Sequence, residues 1–275
     1  MNPHFDFPRN KDGFPERPDG APNTAFLGRG ANEHHQTIDS TNLRAKELAR
    51  SGAPEGTLVT AEAQTSGRGR LGRAWHSPPG RNLYFSLVLR PNISPERLPI
   101  LTLAAGLGVA EALRDITGLG LEIKWPNDIL INKMKVVGIL SEMEMLGAGV
   151  SFVVLGIGIN VNLEQGDLPE ELAPLAASLL IASGRPWDRV EILAGVLSGV
   201  EHNYLEIIQG RPQGVLARYR RACATIGSKV RLADGVQILE GLAVDIDENG
   251  ALVVELSGDG SLLTVSAGEV TLVKE

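Results

Sequence analysis

Hydrophobic and polar positions divide the chain into three regions. Residues 1–30 place five prolines among charges of both signs and show no apolar period, so we expect an irregular tail. Residues 31–224 mix helical and strand-like patterns, which predicts an α/β (α+β) domain. Residues 225–275 contain short β-prone runs between Asn-Gly and Asp-Gly pairs, which favours a small all-β barrel that needs docking to be stable.

The spacing of apolar residues locates the individual elements. One helix is predicted from the helical spacing of Leu43, Ala45, Leu48 and Ala49, with Ser40 or Thr41 as its cap and Gly52 as its stop. Further helices are predicted over Pro99–Thr117, Arg189–Ile208 and Gln213–Cys223. Strands are predicted over Thr57–Glu62, Asn82–Leu89, Leu121–Trp125, Lys135–Met143 and Val150–Val161. The C-terminal region adds Lys229–Leu232, Ile238–Ile246, Ala251–Leu256, Leu262–Ser266 and Val270–Val273.

Composition narrows the class of protein. The chain has 275 residues, with 33 acidic against 26 basic side chains and a formal net charge of -7. Binding along duplex DNA through overall charge is therefore not expected. One cysteine excludes an intrachain disulfide and a four-cysteine zinc site. The most apolar segment, Leu98–Ile116, is interrupted by glycines and charges, so we expect no membrane span and a cytoplasmic protein.

The segment Gln64–Trp75, which we call the Gly-Arg loop, is the most informative motif. Its glycines formally spell a dinucleotide fingerprint, but a strand follows where that fingerprint needs a helix, and no acidic residue lies about 20 positions further on. A Rossmann site is therefore rejected. Arg68, Arg70 and Arg73 lie within six residues, and guanidinium groups suit a two-point grip on carboxylate or phosphate. Trp75 offers an aromatic face for a base.

A second motif, Lys124–Asp128, is followed by Lys135 at the mouth of the next predicted strand. A lysine there can meet a phosphate or carboxylate, and Asn127 and Asp128 could serve a nucleotide or a bound cation. Gly138 removes a side chain where another group could approach. A third run, Gly156–Asn162, ends a strand with two glycines and asparagines; by itself it is typical of tight packing between neighbouring strands.

Other chemistry-bearing residues favour structural roles. Glu142 and Glu144 alternate along a predicted strand and so face one side, which favours a solvated strand face over a magnesium site. Cys223 has apolar neighbours at a helix end, which favours inert packing over nucleophilic catalysis.

Together, the order and spacing of the Gly-Arg loop, Lys124–Asp128, Lys135–Leu140 and Gly156–Asn160 resemble the biotin–protein ligases, over about residues 31–275. The resemblance implies a mixed-sheet catalytic domain at 31–224, followed by an SH3-like barrel at 225–275. It also implies that biotin and ATP form biotinyl-5′-AMP with Mg²⁺ present. The activated acyl group then passes to one lysine of a biotin carboxyl carrier protein.

The resemblance also assigns residues, with Arg70 and Lys135 as the catalytic pair. Contacts to biotin or its carboxyl group fall to Ser40, Thr41, Asn42, Gln64, Arg68, Gly69, Arg70, Lys135 and Gly138. Contacts to ATP or the adenylate fall to Arg68, Arg70, Trp75, Asn127, Lys135 and Asn160. The magnesium ligands, the oligomeric state (a homodimer included) and the carboxylases served stay open.

Three alternatives stay open at this stage. A lipoate or octanoate ligase has a similar fold and activates a related carboxylate, although the loop around Arg68 and Arg70 is of the biotin type. A biotin sensor that regulates transcription would need a winged helix-turn-helix of about 60 residues, whereas about 30 irregular residues precede the catalytic region here, so no nucleic acid partner is expected. An adenylate-binding module without turnover is the third.

Overall fold

The computed structural model describes residues 24–147, 149–233, 238–266 and 269–272. Within them, one mixed sheet runs in the order β1-β2-β3-β7-β6-β5-β4, with β1 and β2 parallel and the other neighbours antiparallel. Its strands are β1 (Glu33–His35), β2 (Leu58–Ala61), β3 (Leu83–Leu89), β4 (Glu122–Lys124), β5 (Asp128–Ile131), β6 (Met134–Leu146) and β7 (Gly149–Ile159). The prediction of a mixed sheet is confirmed.

Helices cover both faces of this sheet. They are α1 (Thr41–Arg50), α2 (Leu98–Thr117), α3 (Leu179–Ser183), α4 (Arg189–Ile208) and α5 (Pro212–Ala222). Helices α2 and α4 form the main core and touch where two glycines meet: a Cβ on Gly108 would lie 2.4 Å from the carbonyl oxygen of Gly199. Helix α1 packs on the other face, above Val59, Val88 and Phe152.

The C-terminal region forms a second, antiparallel sheet of order β11-β10-β9-β8-β12. Its strands are β8 (Lys229–Ala233), β9 (Ile238–Ile246), β10 (Leu252–Leu256), β11 (Leu262–Val265) and β12 (Glu269–Leu272). The sheet shares one continuous apolar core with the larger domain. The Trp125 indole Nε1 also donates a hydrogen bond to the Gly250 carbonyl (3.0 Å), so the expected docking is present.

Two short strands and one short helix lie outside the sequence prediction. Strands β1 and β5 and helix α3 have only three to five residues each, too few for a periodic pattern to appear. The expected turn at Asn132 and Lys133 is confirmed, with φ angles of 50° and 66°. The last predicted residue of the C-terminal run, Val273, lies outside the described residues, as does the tail before Thr24.

Candidate functional site

The candidate site is a cleft on the face of the sheet that carries α1. Ten residues assigned from the sequence line it: Ser40, Thr41, Asn42, Gln64, Arg68, Gly69, Arg70, Trp75, Asn127 and Gly138. Residues some 100 positions apart in the sequence therefore meet at one cleft.

Glycines form the floor of the cleft. Gly138 of β6 is the direct partner of Gly158 of β7, and Gly156 lies two residues before Gly158 on the same face. On that face β7 presents Phe152 and Val154 beneath α1 and then changes to glycine where the cleft begins. The missing side chains create the room above the sheet.

The Trp75 ring lies directly on this floor. A Cβ at Gly138 would fall 2.6 Å from Trp75 Cζ3, and one at Gly158 would fall 2.5 Å from Cε2 and Nε1, so only glycine fits beneath the ring. Within the described residues, the buried Trp75 Nε1 has no hydrogen-bond partner. The Lys135 ammonium lies 5.2 Å from the ring centroid, which is within cation–π distance.

The N-terminus of α1 supplies a polar wall. Gln64 Oε1 accepts hydrogen bonds from the backbone N–H of Thr41 (2.9 Å) and from its hydroxyl (3.2 Å). The Ser86 hydroxyl contacts Thr41 Oγ1 (2.8 Å) and Asn42 Oδ1 (2.6 Å). Ser40 occupies the expected N-cap position, but its side chain makes no capping bond, and its buried Oγ has no partner in the described residues. That hydroxyl is available to a ligand.

Backbone hydrogen bonds fold the Gly-Arg loop into a compact hairpin. The Gly69 N–H donates to the Arg73 carbonyl (2.7 Å), and the Trp75 N–H donates to the Gly67 carbonyl (2.8 Å). A Cβ on Gly67 would lie 2.5 Å from the Trp75 carbonyl oxygen, so glycine is required there. At the tip, Leu71 has a φ of 56°, which is strained for a residue with a branched side chain.

Asn127 connects this loop to the second motif. Arg70 Nη1 donates to Asn127 Oδ1 (3.0 Å), and Asn127 Nδ2 donates to the Ile139 carbonyl (2.9 Å). Asn127 itself lies between β4 and β5, with its backbone carbonyl accepting from the Ile139 N–H (3.0 Å). The amide therefore fixes one edge of the Arg70 guanidinium relative to the sheet.

Lys135 lies beside the cleft rather than in its lining. Its Nζ pairs with Asp128 Oδ1 at 2.6 Å, and its side chain is about one-third exposed. Its Cε would be 3.1 Å from a Cβ on Gly138, so the chain passes along the edge of the glycine floor. To bind a ligand in the cleft, the Lys135 ammonium must either leave the Asp128 carboxylate or contact both groups at once.

Asn160 is placed differently from the other assigned residues. Its side chain is buried, with Nδ2 donating to the Ala177 carbonyl (3.0 Å) and Oδ1 accepting from Asn82 (3.4 Å). It does not belong to the cleft lining. The assignment of Asn160 to the adenylate therefore stays a prediction.

The sequence missed several residues of the site. Ser86 and Ser77 orient Asn42 and Gln64, with Gln64 Nε2 donating to Ser77 Oγ at 3.0 Å. Serines within or beside an apolar strand give no signal by themselves. Gly156 and Gly158 were noticed only as packing glycines; their pairing with β6 becomes evident only from the strand register.

Positive charge and a flat ring thus meet over one floor. Arg68 and Arg70 line the cleft, and Lys135 stands at its edge. Such an arrangement can hold an anion against guanidinium groups and stack a planar group near Trp75. The part of the chain that the structure describes contains no group of three His, Cys, Asp or Glu residues able to cage a metal ion. In the same residues, no helix is long and apolar enough to cross a membrane.

Comparison with known proteins identifies the class of protein. Residues 35–160 match the Biotin/lipoate A/B protein ligase family, and residues 225–273 match the Biotin protein ligase C terminal domain. The chain is 37% identical over 241 residues to the biotin--[acetyl-CoA-carboxylase] ligase of Mycobacterium tuberculosis, covering 84% of this chain and 85% of that one. It is 40% identical to the bifunctional ligase/repressor BirA of Bacillus subtilis, over 81% of this chain and 68% of that protein.

Solved structures agree. The biotin protein ligase from Aquifex aeolicus in complex with biotin and ATP superposes with a TM-score of 0.75 at 32% identity, covering 89% of this chain and 99% of that one. The chain therefore belongs to the biotin protein ligase family and is a biotin ligase. The predicted fold class, a mixed-sheet domain followed by a small antiparallel β unit, is confirmed.

Proposed function

We propose that this enzyme uses ATP to activate biotin as biotinyl-5′-AMP and transfers the biotinyl group to one lysine of a biotin carboxyl carrier protein. The observation that carries the proposal is the convergence of the α1 N-terminus, Arg68, Arg70 and Trp75 over the glycine floor. The names of the relatives, which include an acetyl-CoA-carboxylase ligase and a ligase bound to biotin and ATP, support both substrates and a carboxylase as the acceptor.

The first step joins two anions. A biotin carboxylate oxygen attacks the α-phosphorus of ATP, the bond to the bridging oxygen breaks, and pyrophosphate leaves. At about 4 Å and an effective dielectric near 20, two unit charges repel by about 4 kcal/mol. Left uncompensated, that repulsion slows the step by roughly several hundredfold to a thousandfold. Arg68, Arg70 and Lys135 can neutralise it without a protein nucleophile.

The second step requires that the reactive anhydride survives until the acceptor arrives. A neutral lysine amine of the carrier attacks the acyl carbon, an amide forms, AMP leaves, and the amine loses a proton. Water would compete for the same carbon. We propose that the Gly-Arg loop covers the intermediate, with Arg70 fixed by Asn127 and Trp75 seated on the floor.

Individual roles form part of the same proposal. In the cleft, Ser40 contributes its unpartnered hydroxyl to biotin, and Gly138 and Gly69 provide space. The other biotin contacts are Thr41, Asn42, Gln64, Arg68, Arg70 and Lys135, and the nucleotide contacts are Arg68, Arg70, Trp75, Asn127, Lys135 and Asn160. Arg70 and Lys135 are proposed as the catalytic cations.

Magnesium enters the proposal only as the companion of ATP. Mg²⁺ typically binds through one or two carboxylates together with substrate phosphates. Two carboxylates that contact residues of the site, Asp128 and Glu142, are each paired with a lysine, and no cage of three ligands occurs in the described segments. The phosphates of ATP, not a preformed protein site, would therefore carry the ion.

The domain division and setting are proposals as well. We propose a catalytic domain at 31–224 and a C-terminal SH3-like domain at 225–275, acting in the cytoplasm where ATP and the carrier are both present.

The test is mass spectrometry of an isolated carrier domain incubated with this protein, biotin and ATP. We expect a gain of one biotinyl group at a single lysine, and no gain when that lysine is replaced by arginine. Lipoate in place of biotin tests the other branch of the family. Modification with lipoate but not with biotin, or pyrophosphate release without transfer, would contradict the proposal.

Loop closure has a separate test. Limited proteolysis within residues 65–76 should slow when biotin and ATP are both added, because the closed loop shields its backbone. Cleavage elsewhere in the chain serves as the control. Equal cleavage rates with and without the two substrates would contradict gating.

A further inference from the structure

Glu142 of β6 connects three elements of the site, although the sequence favoured a solvated strand face for it. Its Oε2 accepts a hydrogen bond from Asn42 Nδ2 (2.9 Å). Its Oε1 pairs with Lys46 Nζ of α1 (2.5 Å) and with Arg68 Nη1 of the Gly-Arg loop (3.6 Å). Asn42 and Arg68 line the cleft, whereas Glu142 does not.

The orientation of the Asn42 amide depends on this contact. The Asn42 oxygen accepts from the Ser86 hydroxyl (2.6 Å), and the Asn42 nitrogen points to Glu142 and the Leu140 carbonyl. A Cβ on Gly156 would lie only 1.9 Å from Asn42 Oδ1, so the amide is pressed against the floor. An acceptor at position 142 therefore determines which end of the amide faces which neighbour.

Glu142 is ionised in this setting. Burial opposes its charge, but hydrogen bonds from Lys46 and Asn42 outweigh that cost, and its pKa lies below the usual range. Its side chain is 20% exposed, while the Arg68 side chain is 43% exposed. The carboxylate is thus a fixed anion on the sheet, and Arg68 is a more exposed cation held against it.

Glu144 provides a matched comparison two residues along the same strand face. It pairs with Arg50 of α1 (2.6 Å), one helical turn beyond Lys46. Both carboxylates therefore attach β6 to α1. Within the described residues, Glu144 bonds to Arg50, whereas the contacts to Asn42 and Arg68 come from Glu142, so Glu144 shares the structural role of Glu142 and lacks its link to the site.

From this geometry we propose that Glu142 is a positioning residue for biotin binding, which orients the Asn42 amide and holds Arg68 of the Gly-Arg loop over the cleft. The inference rests on the proposed function, because biotin is taken as the ligand of that cleft. Glu142 does not belong to the cleft lining, so its effect passes through Asn42 and Arg68.

The experiment compares E142Q with E144Q in biotin-dependent ATP–pyrophosphate exchange. Glutamine keeps an acceptor for Asn42 but loses the charge that pairs with Arg68. We expect E142Q to raise the KM for biotin about tenfold with kcat changed less than about twofold, the size of one lost charge-assisted contact. E144Q should keep the wild-type KM. A thermal melt of each variant should show the larger loss of stability for E142Q, because the Glu142–Lys46 pair is less exposed than the Glu144–Arg50 pair.

The salt dependence of the KM for biotin distinguishes a role of Glu142 in positioning Arg68 from a role in packing alone. Salt screens the attraction between the biotin carboxylate and the cleft cations in every variant, so the informative quantity is the ratio of the E142Q KM to the wild-type KM for biotin. That ratio should fall towards one between about 0.05 and 0.5 M NaCl, as the exposed Arg68 pair is screened in the wild type. E142D, which keeps the charge on a shorter side chain, should fall between wild type and E142Q. It also provides the comparison if E142Q is too unstable to purify.

The outcomes are distinct. Equal KM values for E142Q and E144Q, or the same salt response in wild type and E142Q, would overturn the role of Glu142 while leaving biotin activation intact. Absence of biotin-dependent exchange in the wild-type enzyme would instead overturn the proposed function itself.

Discussion

Replacing Gly158 with alanine tests whether the glycine floor seats Trp75. The added Cβ would lie 2.5 Å from Trp75 Cε2 and Nε1, and ordinary contact begins at 3.4 Å, so the ring must retreat by about 0.9 Å. The backbone of Gly158 cannot yield, because it pairs with Tyr84 on one side and Gly138 on the other. Trp75 belongs to a loop and is the part that moves.

The magnitude follows from what Trp75 would lose. Stacking of a base on an aromatic ring contributes about 1–3 kcal/mol. The loss of a stacking free energy in the lower half of that range raises the KM for ATP about tenfold. Overpacking inside a rigid core costs about 1–3 kcal/mol, but a half-buried loop residue can lift away. We therefore expect G158A to lower Tm by less than about 3 °C.

The assay is ATP–pyrophosphate exchange at saturating biotin, with a thermal melt of each variant. Gly120→Ala is the control, because an added Cβ there meets nothing within 4 Å and the backbone φ is ordinary. A wild-type KM for ATP in G158A would refute the seating of Trp75. So would an equal increase in G120A.

Three further predictions concern charge and burial. Arg70→Ala or Lys135→Ala should lower kcat roughly 100-fold with little change in Tm. Lys135→Arg should not restore the activity, because a guanidinium differs in shape from an ammonium group, and wild-type kinetics in either alanine variant would remove that residue from catalysis. Hydrogen bonds from Arg44 lower the pKa of Glu33 to about 2 against desolvation, so this pair stabilises the fold above about pH 4.5 and less as the pH falls towards 2. Chemical denaturation should show Arg44→Ala costing about 1 kcal/mol at pH 7 and nearly nothing at pH 2; a pH-independent difference would contradict this. Burial raises the pKa of the Cys223 thiol, so iodoacetamide at pH 8 should modify it far more slowly in the folded enzyme than in urea, as followed by mass spectrometry; equal rates would show that it is accessible.

Long periodic elements could be predicted from the sequence, and short ones could not. Helix α2 begins one residue before the predicted Pro99 and ends at the predicted Thr117, because an apolar run is closed by Gly118 with a φ of 70°. Strand β1 has three polar residues and exists through its pairing with β2 and the ion pair between Glu33 and Arg44. No local pattern encodes such a strand.

The residues of the site also differ in whether the sequence could predict them. The loop arginines were visible because charge and glycine alternate in a short stretch, and ten assigned residues do line one cleft. Ser86 and Glu142 were not recognised, because their importance depends on which strands are neighbours and in which register. Lys135 was recognised, but its ion pair with Asp128 depends on the β5–β6 hairpin.

The segment from Trp125 to Asn127 joins the C-terminal sheet to the place where chemistry is proposed. Trp125 is fixed at one end by Thr225 and Gly250, and Asn127, two residues later, holds Arg70. The small sheet therefore supports the structure of the cleft. Shortening the chain at its C-terminus to obtain a minimal enzyme would remove the support of an arginine that lies in a different region of the sequence.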